Sequence, residues 1–176
     1  MKNIGLFFGS FNPIHMGHLA IADFFVENSG LEEIWLVISP QSPFKEKNSL
    51  MENKHRLAMV EMAIVGKPKL KACSEEFDLS TPNYTVDTLG HLKKKYPKNQ
   101  FTLLMGQDNM AQFERWKEHN QILDQFHLFI YPRSQSGKIP TRILKHPKIH
   151  YFEASLMEVS ATEIRNAIKN KKPLTN

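Results

Sequence analysis

Apolar residues fall in two rhythms along this chain. Short continuous runs occupy residues 4–8, 34–38, 101–105 and 126–131, and each is closed by a glycine or proline within two positions. Runs of that length bounded by turn residues predict strands buried on both faces. Between them lie segments with helical spacing. Residues 16–27 carry Leu19, Ala22, Phe25 and Val26, and residues 54–65 offer Leu57, Val60, Met62 and Ile64 to a core. Residues 84–96 place Val86, Leu89 and Leu92 on one face before Pro97 halts them, and residues 119–125 and 160–169 read as two further helices. Short strands are predicted at 70–73 and 150–152, and polar loops at 41–53 and 134–148.

Strand and helix therefore alternate along the chain. That pattern predicts an α/β fold, a doubly wound and mainly parallel sheet with helices on both faces. Its length of 176 residues suits one core. Residues 1–172 are read as a single domain and 173–176 as a polar tail. In such sheets ligands bind beyond the carboxyl ends of the strands. The segments to inspect are thus 9–18, 39–45, 106–108 and 131–133, together with the start of the last helix.

Composition narrows the class. The single cysteine, Cys73, leaves no intramolecular disulfide. Residues 1–8 are too short for a signal-peptide core, and no apolar stretch would span a bilayer, so a cytoplasmic location is expected. The net charge of +5 gathers at residues 93–95, 138–148 and 169–172. Most of it reads as solvated surface; the functional alternative is attraction for phosphates. It lacks the basic stripe with interleaved aromatics that RNA-binding modules show, which favours an enzyme without a nucleic-acid partner.

The candidate chemistry starts at Gly9-Ser10-Phe11-Asn12-Pro13-Ile14-His15-Met16-Gly17-His18, which follows a strand and opens a helix. Gly9 is expected to allow a tight turn, and Gly17 to let a ligand approach the helix backbone. His15 and His18 share one face at the helix start, where free N–H groups and the dipole favour an anion. Two plainer readings compete. Both histidines could simply cap the helix, or they could bind zinc, for which no convincing third ligand is nearby. A P-loop and a dinucleotide fingerprint are both absent.

A second segment, Val159-Ser160-Ala161-Thr162-Glu163-Ile164-Arg165, contains a capping box in Ser160 and Glu163. Thr162 and Arg165 are not needed for a cap, and Arg165 can reach back toward the helix start. The third group is Asn83-Tyr84-Thr85-Val86-Asp87-Thr88-Leu89 with Gly106-Gln107-Asp108 and Trp116.

The first segment resembles nucleotidyltransferases that share Gly-x-Phe-x-Pro-x-His-x-Gly-His. The three together resemble the bacterial nicotinate-nucleotide adenylyltransferases, over residues 9–165. The resemblance implies a Rossmann-like nucleotidyltransferase fold that transfers AMP from ATP to nicotinate mononucleotide. It makes His15, His18 and Arg165 the catalytic residues. Gly9, Ser10, Phe11, His18, Gly106, Asp108, Ser160, Thr162 and Arg165 would bind ATP, with Asp108 on a ribose hydroxyl. Lys45, Tyr84, Thr85, Trp116 and Arg133 would bind the acceptor, Trp116 by stacking on the pyridine ring and the Tyr84–Thr85 region by meeting its carboxylate. Mg²⁺ would arrive on the ATP phosphates, with no protein metal ligand, and the partners expected are ATP, nicotinate mononucleotide and, in a homo-oligomer, further copies of the chain.

Phe44 departs from the pattern, standing where a histidine is common, and family members usually continue past the last helix. Arg56, inside an amphipathic helix, reads as structural. The remaining histidines and Cys73 read as packing or surface residues. Two rivals stay open: another adenylyltransferase, such as the pantetheine-phosphate enzyme, and a non-catalytic nucleotide- or RNA-binding module.

Overall fold

A computed structural model describes residues 1–40, 51–133 and 138–152. Six strands form one sheet, β1 (Asn3–Gly9), β2 (Glu33–Ile38), β3 (Leu70–Cys73), β4 (Gln100–Gly106), β5 (His127–Tyr131) and β6 (Ile149–Tyr151). Their spatial order is β3-β2-β1-β4-β5-β6, and every pairing is parallel. The order reverses between β1 and β4, so a crevice opens beyond the carboxyl ends of those two strands.

Helices α1 (Met16–Asn28), α2 (Asn53–Ala63), α3 (Thr85–Lys95), α4 (Gln107–Met110), α5 (His119–Gln125) and α6 (Thr141–Leu144) supply the connections. Side chains alternate across each strand, and this splits the core in two. Ile4 and Leu6 of β1 and Leu103 and Met105 of β4 join Leu89 and Leu92 of α3 and Ile122 of α5 on one face. Phe7 of β1 and Leu104 of β4 join Ile21 and Phe25 of α1 and Val60 of α2 on the other. Strands covered this way need apolar residues at every position, which is why they appear in the sequence as unbroken runs.

Element boundaries differ from the sequence reading by a residue or two, as helix ends commonly do. Three differences have physical causes. Met62 was assigned to the core but is 74% exposed, because Val60 occupies the inward position of α2. The loop expected over residues 134–148 contains the single turn α6, which buries Ile143 and follows Pro140. Gly9 is not needed for a left-handed turn. An added Cβ there would sit 3.1 Å from the Phe11 ring, so the glycine makes room for Phe11, which itself adopts φ 45°. The final helix at 160–169 lies outside the described residues.

Cys73 is buried, and burial pushes its thiol up to about 11, in keeping with a packing role. Among the described residues no helix is long and apolar enough to cross a membrane.

Candidate active site

The two motif histidines cap α1 by an unusual reciprocal bond. His15 is the N-cap, and its Nδ1 accepts from the Gly17 N–H at 3.1 Å. His18, three positions on, accepts the His15 N–H on its own Nδ1 at 3.2 Å. This is the geometry of a capping box with imidazoles in place of hydroxyl and carboxylate. The rings stack with centroids 3.7 Å apart. An Nδ1 that accepts carries no proton, so each neutral ring bears its proton on Nε2, which becomes its donor. The capping reading and the phosphate reading are thus compatible. One nitrogen of each ring holds the helix start, and the other is a donor suited to a phosphate oxygen. Phe11, buried with its ring 5.0 Å from that of His18, packs edge-on against that imidazole.

Next to this helix start lies a cleft of about 410 Å³ beyond the ends of β1, β2 and β4. Gly9 and Ser10 form one wall, Tyr84 and Thr85 at the start of α3 a second, and Asp108 and Trp116 a third. Six residues selected by sequence therefore meet in one place. Gly106 belongs here for a steric reason: a Cβ on it would fall 2.5 Å from Asp108 Oδ1 and 3.0 Å from the Tyr131 ring. Trp116 is half-buried and leans on Phe113 with centroids 5.4 Å apart, which holds one side of the indole and leaves its orientation set by packing.

Other residues fall elsewhere. The ring of Phe11 is in the core, so only its backbone could serve a nucleotide. Arg133 does not line the cleft; it lies beside Tyr131 at the end of β5. Burial pushes the Tyr131 hydroxyl up to about 12, with the Arg133 charge opposing and that of Asp108 adding to the shift. Lys45, Ser160, Thr162 and Arg165 lie outside the described residues. Among the described residues no three His, Cys, Asp or Glu side chains are grouped to hold a metal.

The cleft also takes in residues to which the sequence assigned no role. Lys117 spans it, its ammonium 4.8 Å from the Tyr84 ring centroid and 3.0 Å from Asp87. Ser39, the first residue beyond β2, lies within a segment flagged by position alone. Glu76 and Asn83 form the floor and are almost fully buried. Glu76 Oε1 accepts from the Thr88 hydroxyl at 2.8 Å, and Asn83 Nδ2 donates to the Glu76 carbonyl at 3.3 Å. These bonds fasten the turn at Glu75–Asp78 to the first turn of α3, so they fix where Tyr84 and Thr85 stand. Among the described residues Glu76 Oε2 and Asn83 Oδ1 have no hydrogen-bond partner. Burial therefore pushes the Glu76 carboxyl up, against the opposing pull of the Thr88 and Ser39 hydroxyls.

Fold and cleft together define a class, and the sequence comparison agrees. The chain belongs to the cytidylyltransferase-like family, whose model matches residues 6–167. Within that class it resembles several proteins named probable nicotinate-nucleotide adenylyltransferase. It is 48% identical, over 97% of its length and 88% of the relative's, to a probable nicotinate-nucleotide adenylyltransferase of Christiangramia forsetii. A protein of the same name from Flavobacterium psychrophilum is 46% identical over 96% of this chain and 88% of its own. Among solved structures, the nicotinic acid mononucleotide adenylyltransferase of Plasmodium falciparum, complexed with NaAD, superposes with a TM-score of 0.80. It is 26% identical, and the match covers 98% of this chain and 87% of that one.

The orphaned oxygen of Glu76 makes a prediction about stability. A carboxyl whose folded pKa is raised is neutral in both states below the ordinary value near 4.5. As pH rises through the folded pKa, the folded protein must carry a buried charge and loses stability. Glu76→Gln, a neutral near-isostere, should match the parent in denaturant midpoint at pH 4 and exceed it at pH 8. A midpoint difference that stays constant across that range would show that the carboxyl does not titrate from a raised value.

Proposed function

We propose that the chain transfers the AMP moiety of ATP to nicotinate mononucleotide, forming nicotinate adenine dinucleotide and pyrophosphate in NAD biosynthesis. The observation that carries this reading is the meeting of Trp116, the start of α3 and Asp108 around one cleft beside the histidine-capped start of α1. The name borne by its relatives points to the same reaction.

The chemistry follows from placement. The α1 start gathers backbone N–H groups and two Nε2–H donors where a polyphosphate would lie. The pyridine ring of the acceptor would enter the cleft against Trp116, with its carboxylate toward the N–H groups of the α3 start. An oxygen of the acceptor phosphate then attacks the α-phosphorus of ATP in line. The bond to the bridging oxygen breaks, and pyrophosphate leaves with the electron pair. The attacking phosphate is already an anion, so no protein nucleophile is required. The histidines stabilise charge that grows on the non-bridging oxygens in the transition state. Arg165, Ser160 and Thr162 on the last helix would complete that anion site, Lys45 would meet the acceptor phosphate, and Arg133 remains an acceptor-side residue on resemblance alone. Mg²⁺ carried on the ATP phosphates would neutralise charge there. Asp108, an exposed carboxylate of the cleft lining, suits a hydrated cation carried on those phosphates.

Acid and amide forms of the acceptor differ at one substituent. A site of converging N–H donors matches a carboxylate and leaves an amide NH₂ facing a donor. Such a mismatch costs on the order of 1–3 kcal/mol, roughly ten- to a hundredfold in specificity. Pyrophosphate release from ATP should therefore be fastest with nicotinate mononucleotide in a panel that includes nicotinamide mononucleotide and phosphopantetheine. Faster release with either alternative would sink the acceptor assignment, and release with none would sink the transferase reading.

Loss of one preorganised donor has its own scale. His18→Ala should lower kcat by about two to three orders of magnitude. The cap is lost with it, so His18→Gln, which restores an acceptor at the helix start without an imidazole, should recover thermal stability and not turnover. Recovery of turnover in the Gln variant would reduce the histidine to its capping role.

A further inference from the structure

We propose that Arg56 is a positioning residue for the ATP polyphosphate, acting through the loop that follows β1 and completing its own charge balance only when that anion binds. The proposal rests on the adenylyl-transfer reading above.

Arg56 projects from the first turn of α2 and is fully buried. Its guanidinium makes four hydrogen bonds. Nε donates to the Met51 carbonyl at 2.9 Å, one terminal nitrogen to the Ser10 carbonyl at 2.6 Å and the Ser39 carbonyl at 2.8 Å, and the other to Asn53 Oδ1 at 2.6 Å. All four acceptors are neutral. Among the described residues no carboxylate pairs with it. Buried cations are almost always paired, because leaving water without a counter-charge is costly. Among the described residues this charge is held by neutral acceptors alone.

Its location suggests what the missing partner is. Ser10 and Ser39 are the first residues beyond β1 and β2, and both line the cleft. A second tie joins the same two segments, since the Met51 N–H donates to Asn12 Oδ1 at 3.1 Å. The start of α2 is thus fastened at two points to the loop that leads into the histidine cap. Binding four neutral acceptors would need only neutral donors. A guanidinium adds a fixed positive charge behind the loop, in a medium where charges act over several ångströms. A polyanion laid along residues 10–18 would feel that charge, and would relieve it.

A shape role and a charge role separate in two substitutions. Arg56→Lys keeps the charge and loses the fork; Arg56→Gln loses the charge and keeps a donor. Both should melt at lower temperature than the parent. Calorimetric titration of the folded proteins with a non-hydrolysable ATP analogue, and separately with nicotinate mononucleotide, reads the charge. The Gln variant should bind the ATP analogue roughly tenfold more weakly, the scale of one charge at short range in a partly shielded site. The Lys variant should stay within about threefold of the parent, and mononucleotide binding should change less than ATP binding in both. Unchanged ATP-analogue affinity in the Gln variant, equal losses in the Lys and Gln variants, or a loss confined to the mononucleotide would overturn the proposal and leave the transferase reading standing. Failure of the parent itself to bind the ATP analogue would overturn both.

Discussion

Strand β1 is the constraint on which the rest of this molecule depends. It is paired on both sides, with Leu6 opposite Trp35 of β2 and opposite Leu103 of β4, and it is covered on both faces. Because every neighbour runs parallel to it, each connection must return across the sheet, and all the strand ends that carry functional loops emerge together. The reversal of order at β1 and β4 then leaves a crevice that no crossover fills. Gly9 and Ser10 follow β1 into one side of it, with the His15–His18 cap of α1 a few residues further along the same loop, and Asp108 and Trp116 follow β4 into the other. The site is a consequence of topology before it is a consequence of any particular side chain.

Within that crevice, structure and chemistry share the same atoms. The α1 start would need a cap in any protein. Here the cap is built from imidazoles, whose second nitrogen is a donor, and the same bonds that satisfy the helix fix which nitrogen bears the proton. The opposite wall works in a related way. Glu76 and Asn83 fasten the start of α3 while two of their own oxygens lack partners among the described residues. Buried polar groups left incomplete cost stability, and the two found among the described residues lie in the cleft lining and not in the apolar core. Local stability has been given up where ligands would bind, a pattern expected of a binding site.

Much of this was legible in the sequence because it is local. The unbroken apolar runs gave up β1, β2, β4 and β5, and the glycine–proline–histidine string marked the loop that matters. Tyr84, Thr85, Asp108 and Trp116 were identified by resemblance and are found around one cleft. What was not legible depends on contacts between distant segments. Nothing near Glu76 signals that it will be buried against Thr88, and nothing near Lys117 signals Tyr84. Arg56 was read as structural, which its burial supports, but the identity of its acceptors, Ser10 and Ser39, required the fold. Gly9 was recognised as a turn residue, and the fold adds its steric reason, the Phe11 ring two positions on.

The account places the acceptor ring against Trp116, and the chain is suited to a direct test because Trp35 is its only other tryptophan. Trp35 packs against Tyr96 and Phe101 on the sheet face, away from the cleft lining. In a Trp35→Phe variant, fluorescence titrated with nicotinate mononucleotide reports on residue 116 alone. The account predicts saturable quenching in that variant and none in Trp116→Phe. Saturable quenching of Trp35 in the Trp116→Phe protein, with Trp116 unaffected by the ligand, would contradict it.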